Sequence, residues 1–304
     1  MISKFYLLAV LILWLIQGNR CFNWPKINSV NPYCYVRECC NDDWIYFNKQ
    51  RLIENLTEKV FGQPLLLTAV DAIVGHLNPH YKPKKALTLS FHGRMHFSEE
   101  ANTNKYKENL YQWLKNNVTK CSRQLFIFDE VDKMIPEVLN AIKPYIDYRD
   151  DVDGVDYTKS IFLFLSNTGA DIVNEHYHDL HFVEGKNRED LTLADFEPLI
   201  KKGIFNEKGG FFHSDAIKHN LIDHFIPFLP LEEKHIRLCI KDEFKARNVH
   251  IPDKKHIQEI LDYVEWGPDS SKSFSKTGCK GLSQKVALLV AKHSDKYFPD
   301  KDEL

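Results

Sequence analysis

Two acidic residues at the end of an apolar run carry the strongest chemical signal in this sequence. Leu125-Phe126-Ile127-Phe128 reads as a buried strand, and Asp129 and Glu130 follow it directly. Ligands of open α/β sheets bind at the carboxyl ends of the strands. Paired acids there suit nucleotide hydrolysis: Asp129 would hold Mg2+ through water, and Glu130 would polarise the attacking water. A second apolar run, Ile161 to Leu165, ends in Ser166 and Asn167, and Asn167 would orient that water or the terminal phosphate. The next charged pair, Asp132-Lys133, reads as surface charge. A third run, residues 86–91, ends at His92-Gly93, where a phosphate loop should begin. No G-x-x-x-x-G-K-[ST] follows; Gly93 runs into Arg94, Met95, His96 and Phe97. The row of backbone N–H donors and the lysine that such a loop offers to phosphate are not encoded there. Arg94 lacks the neighbouring glycines that let a backbone wrap a phosphate, and Lys105 and Lys107 fall on a predicted helix flank. The sequence thus encodes the hydrolytic half of an ATP site without the half that grips phosphate.

A parallel sheet is the frame such a site needs. Strands at 86–91, 124–128 and 160–165 are near-continuously apolar and alternate with helical patterns, which predicts a parallel sheet covered on both faces. Helices are predicted at 47–60, from Pro64 to about 77, at 104–117, from Pro136, and within 211–226; Phe225-Ile-Pro-Phe-Leu-Pro reads as a last strand. From residue 231 the pattern turns helical, over 231–247 and 253–263. A Gly-, Ser- and Lys-rich stretch follows from Trp266, then a helix at 281–292. The expected divisions are a signal peptide at 1–20, a cysteine-containing lead-in at 21–45, an α/β domain at 46–230, a small helical lid at 231–295, and a tail at 296–304.

Both ends read as addresses. One lysine precedes twelve apolar residues, Phe5 to Ile16, which is short for a membrane span and fits a signal peptide, an uncleaved anchor being the alternative. The chain closes on Lys301-Asp302-Glu303-Leu304, an endoplasmic reticulum retrieval signal. The net charge of -2 gives no electrostatic case for nucleic acid. Of seven cysteines, Cys34, Cys39 and Cys40 cluster ahead of the main domain. In an oxidising lumen Cys39 or Cys40 would pair with Cys34, Cys21 or Cys121. Zinc is the other reading of that cluster, weakened by the lack of a second paired element. Asn55-Leu-Thr and Asn117-Val-Thr are N-glycosylation acceptors, which places both at the surface.

The chain resembles the torsins, lumenal members of the AAA+ ATPase superfamily. The resemblance runs from the Cys34/Cys39/Cys40 cluster to about residue 292. It is carried by Phe61-Gly62-Gln63, Leu87-Thr-Leu-Ser-Phe-His-Gly93, Phe126-Ile-Phe-Asp-Glu-Val-Asp-Lys-Met134, Phe164-Leu-Ser-Asn-Thr-Gly169, Asn220 to Leu231, and Gly278-Cys-Lys280. It implies an AAA+ P-loop NTPase-type parallel sheet with helices on both faces and a small helical C-terminal lid. Asp129 and Glu130 match the Walker B acids, and Asn167 matches sensor 1. Lys280 matches sensor 2, at the terminal phosphate, while Gly93 marks the start of the phosphate loop. Cys279 matches a redox-responsive cysteine whose partner matches Cys239. ATP and Mg are the implied cofactors. Implied partners are membrane-anchored lumenal-domain activators, protein clients, and further subunits in a homo- or hetero-oligomer with torsins. The implied activity is that of an ATPase and chaperone of the endoplasmic reticulum lumen and nuclear envelope.

One departure is large. In torsins a loop of Thr-Gly-Thr-Gly-Lys-Asn type, a helix and an edge strand follow His-Gly, and roughly 35 residues are absent here. The expected fold therefore lacks the P-loop helix and an edge strand, leaving a sheet face beside strand 86–91 uncovered unless residues 94–107 repack on it. A skipped exon or an incorrect gene model accounts for so clean a gap; a nucleotide-free torsin is the other account. The competing function is a non-hydrolysing lumenal interaction or regulatory protein that binds torsin partners. A thiol–disulfide protein using Cys239 and Cys279 is a third, disfavoured because neither lies in a Cys-x-x-Cys pair.

Overall fold

The computed structural model describes residues 40, 47–78, 82–92, 103–207, 209–268 and 271–298. The signal peptide, Cys21, Cys34, Cys39, Gly93 with the residues after it, and the retrieval tetrapeptide lie outside the described residues. The chain divides into two compact units, Met1–Phe228 and Leu229–Leu304. Among the described residues no helix is long and apolar enough to cross a membrane.

The first unit is built on four parallel strands: β1 (Leu87–His92), β2 (Leu125–Phe128), β3 (Ile161–Ser166) and β4 (His224–Pro227), in the order β2-β3-β1-β4. Their apolar side chains alternate between faces, as the twofold period of a strand requires. On one face Leu87, Leu89, Phe91, Ile161, Leu163, Leu165 and Ile226 pack under α1 (Lys49–Lys59) and α2 (Leu66–His76). On the other, Phe126 and Phe128 of β2 meet Phe162 and Phe164 of β3, with centroids 5.1–6.3 Å apart. α3 (Thr103–Lys120) covers that ladder and sets Trp113 edge-on to Phe126 at 5.0 Å. β1 is buried along its whole length, so the face expected to lie bare beside it is covered. The α1–α2 pair covers the apolar side chains. Phe211, Phe225 and Phe164 enclose the second face, where Thr88, Ser90 and His92 point.

A buried lysine fastens the two strands that come together last in sequence. Lys85 precedes β1 and is 8% exposed; its Nζ donates to Asp223 Oδ2 at 2.7 Å and to the carbonyls of Leu221 and Ala86. Asp223, just before β4, also accepts the Thr88 N–H at 2.7 Å and returns its own N–H to Thr88 O. The register of β4 on β1 is fixed at that corner.

Two short helices, α4 (Pro136–Asn140) and α5 (Lys143–Ile146), lie between β2 and β3. After β3 come α6 (Ala170–His178), a π-helical turn (Asp179–Val183) and α7 (Leu193–Asn206). α7 was not expected from the sequence, yet it opens on a capping box: Asp195 accepts from both the backbone and the hydroxyl of Thr192. It buries Phe196, Ile200 and Ile204 at helical spacing. The helix expected within 211–226 shrinks to α8 (Asp215–Lys218), because the chain turns at Asn220 to enter β4. Cys40 is bonded to Cys121, 81 residues on, which selects one of the pairings left open by the cysteine cluster.

The second unit consists of α9 (Glu233–Lys245), α10 (Lys254–Leu261), an antiparallel hairpin of β5 (Trp266–Gly267) and β6 (Phe274–Ser275), α11 (Leu282–Lys292) and α12 (Ser294–Tyr297). The hairpin falls where the sequence suggested only a Gly- and Ser-rich stretch. Cys239 on α9 is bonded to Cys279 beyond the hairpin, the pairing that the resemblance implied.

Candidate functional site

The strand ends bring Asp129, Glu130 and Asn167 to one edge of the sheet. β2 and β3 are in register with Phe128 opposite Phe164, so both chains leave the sheet side by side. Asp129 turns back and accepts the Glu130 N–H through Oδ1 at 2.9 Å. Glu130 has φ 54°, a left-handed conformation that is costly for a residue with a side chain and is held here by the turn that follows. That turn, Val131–Lys133, is 3-10 helical, and Lys133 Nζ meets Glu130 Oε1 at 2.7 Å. Loss of surrounding water raises the Asp129 carboxyl above its ordinary range; the Glu130 N–H opposes this, and the charges of Glu130 and Asp132 add to it.

Asp132, read from sequence as surface charge, belongs to the site. Its Oδ1 accepts the Asn167 backbone N–H at 3.0 Å, and both its oxygens accept from Asn167 Nδ2 at 3.1 Å. A carboxylate can only accept, so the amide nitrogen of Asn167 faces Asp132 and Oδ1 faces away. That Oδ1 is buried and has no hydrogen-bond partner among the described residues. No local pattern in the sequence marks Asp132, because its partner lies 35 residues away.

The residues after Asn167 are held as firmly. Thr168 O accepts from His92 Nδ1 at 2.9 Å, and Gly169 N–H donates to Glu207 Oε2 at 2.8 Å. His92 is fully buried at the end of β1, its Nε2 2.9 Å from Ser90 Oγ. Facing a carbonyl, Nδ1 must carry the proton; Nε2 then accepts from the serine hydroxyl. Gly209 and Gly210 lie directly on the acidic turn: a Cβ at Gly210 would stand 2.5 Å from Val131 O, and one at Gly209 2.9 Å from Asp132 O. Only glycines allow that approach.

Replacing Asp132 with Ala is expected to lower stability by about 1–3 kcal/mol, since Asn167 loses charge-assisted partners in a partly buried place. Urea denaturation of Asp132→Ala, Asn167→Ala and the double variant checks this. The two changes should be clearly non-additive; strict additivity would mean that the pair is uncoupled.

Lys280 and the Cys239–Cys279 bond lie in the second unit, where Gly278 and Gly281 both have positive φ around Lys280. Ser275 secures that turn, taking the Leu231 carbonyl through its N–H and the Gly278 carbonyl through its hydroxyl. Asn55 and Asn117 sit on α1 and α3, half-buried at the surface.

The acids and Asn167 suit a hydrated magnesium ion and a polarised water: among the described residues Asp129 is bonded through Oδ1 alone, and Asn167 Oδ1 has no donor. A triphosphate is not matched in the same way. Lys133 is engaged by Glu130, and the sequence after His92 has neither the glycines nor the lysine of a cradle. The residues present fit one half of Mg-ATP and not the other, and no hydrolytic step is derived from them.

Comparison with known proteins identifies the family and the fold. The Torsin family model matches residues 34–95, and the model for the Torsin-1A C-terminal domain matches residues 231–288. A torsin-like protein of Caenorhabditis elegans is 33% identical over 300 residues, covering 85% of this chain and 82% of that protein. The chain belongs to the torsin family. A torsin-like protein of Drosophila melanogaster is 32% identical over 300 residues, covering 86% of this chain and 87% of its own length. Among solved structures, the S. cerevisiae Hsp104–ADP complex superposes with a TM-score of 0.52 at 15% identity, covering 87% of this torsin chain and 50% of that one. A closed state of Hsp104 with ATPγS and FITC-casein gives 0.51 at 13% identity, covering 81% and 46%. This torsin spans about half the length of those chains, and the likeness establishes an AAA+ α/β fold with a helical C-terminal region.

Proposed function

We propose that this torsin works in the lumen of the endoplasmic reticulum and nuclear envelope as an AAA+ protein that binds other proteins without turning over ATP. The observation that carries the reading is the strand-end asymmetry. β2 and β3 end in a complete set of acids and amide, whereas β1 ends in a sequence with no phosphate cradle. The worm alignment supports a gap. It extends over 300 residues but occupies 85% of 304, about 258, leaving roughly forty positions with no counterpart here. A charge-assisted bond to phosphate contributes about 2 kcal/mol, so losing three weakens binding by roughly 10^4-fold.

Its partners on this reading are the membrane-anchored lumenal-domain activators of torsins, torsin subunits and protein clients. The casein seen with Hsp104 is the precedent for a client. The second reading is a working ATPase that uses Asp129, Glu130, Asn167 and Lys280 with Mg-ATP. It draws support from Asn167 Oδ1, a buried acceptor with no hydrogen-bond donor among the described residues.

Calorimetry of Mg-ATP on the lumenal chain, oxidised and reduced, separates the two, with Asp129→Ala/Glu130→Ala as control. No binding by a folded sample is the expected result. Micromolar binding that disappears in the control would overturn it and establish a nucleotide enzyme.

A further inference from the structure

We propose that the N-glycan on Asn117 packs its first N-acetylglucosamine against the exposed ring of Trp113, so that sugar and indole together form the outer surface over β2. The proposal rests on the lumenal reading, which makes the acceptor usable. Attachment replaces one N–H of the Asn117 amide by an N–C bond to the anomeric carbon; the proton and the pyrophosphate-linked lipid carrier leave.

Both acceptor asparagines lie inside helices, and both side chains fold back by one turn. Asn55 Nδ2 donates to Arg51 O at 2.7 Å, and Asn117 Nδ2 donates to Trp113 O at 2.7 Å. The modified nitrogen keeps one hydrogen, enough for that bond. A sugar on it therefore leaves the helix beside the residue one turn toward the N-terminus, the direction in which helical side chains lean. At Asn55 that residue is the exposed cation Arg51. At Asn117 it is Trp113, 47% exposed and among the largest apolar side chains left at the surface.

The indole is already braced on its inner side. It meets Phe126 at 5.0 Å and 71°, and Phe128 at 6.4 Å and 86°, which holds the ring upright over the sheet. A pyranose presents a face of C–H groups, and the electron-rich face of an aromatic ring attracts their positive edge. Covering the indole also removes apolar area from water. Asn55 offers none of this and serves as an internal control on a second helix.

The test uses the full chain made in a eukaryotic secretory host. Mass spectrometry of the peptides carrying Asn117 and Asn55 comes first. An unmodified Asn117 in folded protein would overturn the proposal, and with Asn55 also unmodified it would overturn the lumenal glycoprotein reading. With Asn117 occupied, hydroxyl-radical footprinting follows Trp113 in three forms: the chain trimmed to a single N-acetylglucosamine, the Thr119→Ala chain, and the Thr57→Ala chain. Trp113 should be oxidised several-fold less in the first and third forms than in the second, with Trp266 unchanged throughout. Equal oxidation with and without the Asn117 sugar would overturn the packing while leaving the lumenal reading intact. Should Thr119→Ala fail to fold, enzymatic removal of the whole glycan from the native chain gives the same comparison.

Discussion

Asp223→Ala is expected to cost about 3–5 kcal/mol of stability, because it strands a buried ammonium. Lys85 is almost fully enclosed, and among the described residues Asp223 is the one carboxylate bonded to its Nζ, at 2.7 Å. The remaining partners, two carbonyls, cannot neutralise the charge. The same substitution leaves the Thr88 N–H without its acceptor and frees the start of β4. Urea denaturation reads the effect as a lower midpoint at unchanged slope. Lys85→Met/Asp223→Ala should recover part of the loss, since a buried pair replaced as a whole costs less than one broken in half. A single variant within 1 kcal/mol of the native protein would mean that water reaches Lys85.

Acidification should remove about 3 kcal/mol through His92 alone. Burial lowers this imidazole from the usual 6.5 to about 4; its bond to the Thr168 carbonyl and the charge of Asp132 only partly oppose that. The folded state then binds fewer protons than the unfolded chain between pH 6.5 and 4. Stability is complete above the unfolded value, falls as pH drops through this window, and levels off below it. Carboxylates titrate nearby, so the measurement is a difference. Urea stabilities from pH 7.5 to 4 are compared for the native chain and His92→Gln, and the native chain should fall more steeply by about 3 kcal/mol in total. Parallel curves would show that His92 is charged or hydrated when folded.

How far the sequence reveals this site depends on what each residue contacts. The placement of Asp129, Glu130 and Asn167 was legible because each follows an apolar run that reads as a strand. Asp132 was not, because its role depends on a partner 35 residues away across a sheet register that no local pattern encodes. Gly209 and Gly210 are equally silent in sequence; their reason is the Val131–Asp132 backbone beneath them. α7 was legible in principle, since Thr192 and Asp195 form a capping box ahead of Phe196, Ile200 and Ile204. The β5–β6 hairpin was hidden by its brevity: two-residue strands carry too little alternation to stand out.

The strand order also sets a timetable for the chain's birth. β1 is first to be made, yet its two neighbours are β3 and β4, and the Thr88–Asp223 bond spans 135 residues. At synthesis rates of about 5–20 residues per second, Leu87–His92 waits roughly 7–27 s for its last neighbour to follow it. Throughout that interval an apolar strand stands with one edge open, the condition in which chains stick to one another. The nascent torsin is thus itself a substrate for whatever guards new polypeptides until β4 is made.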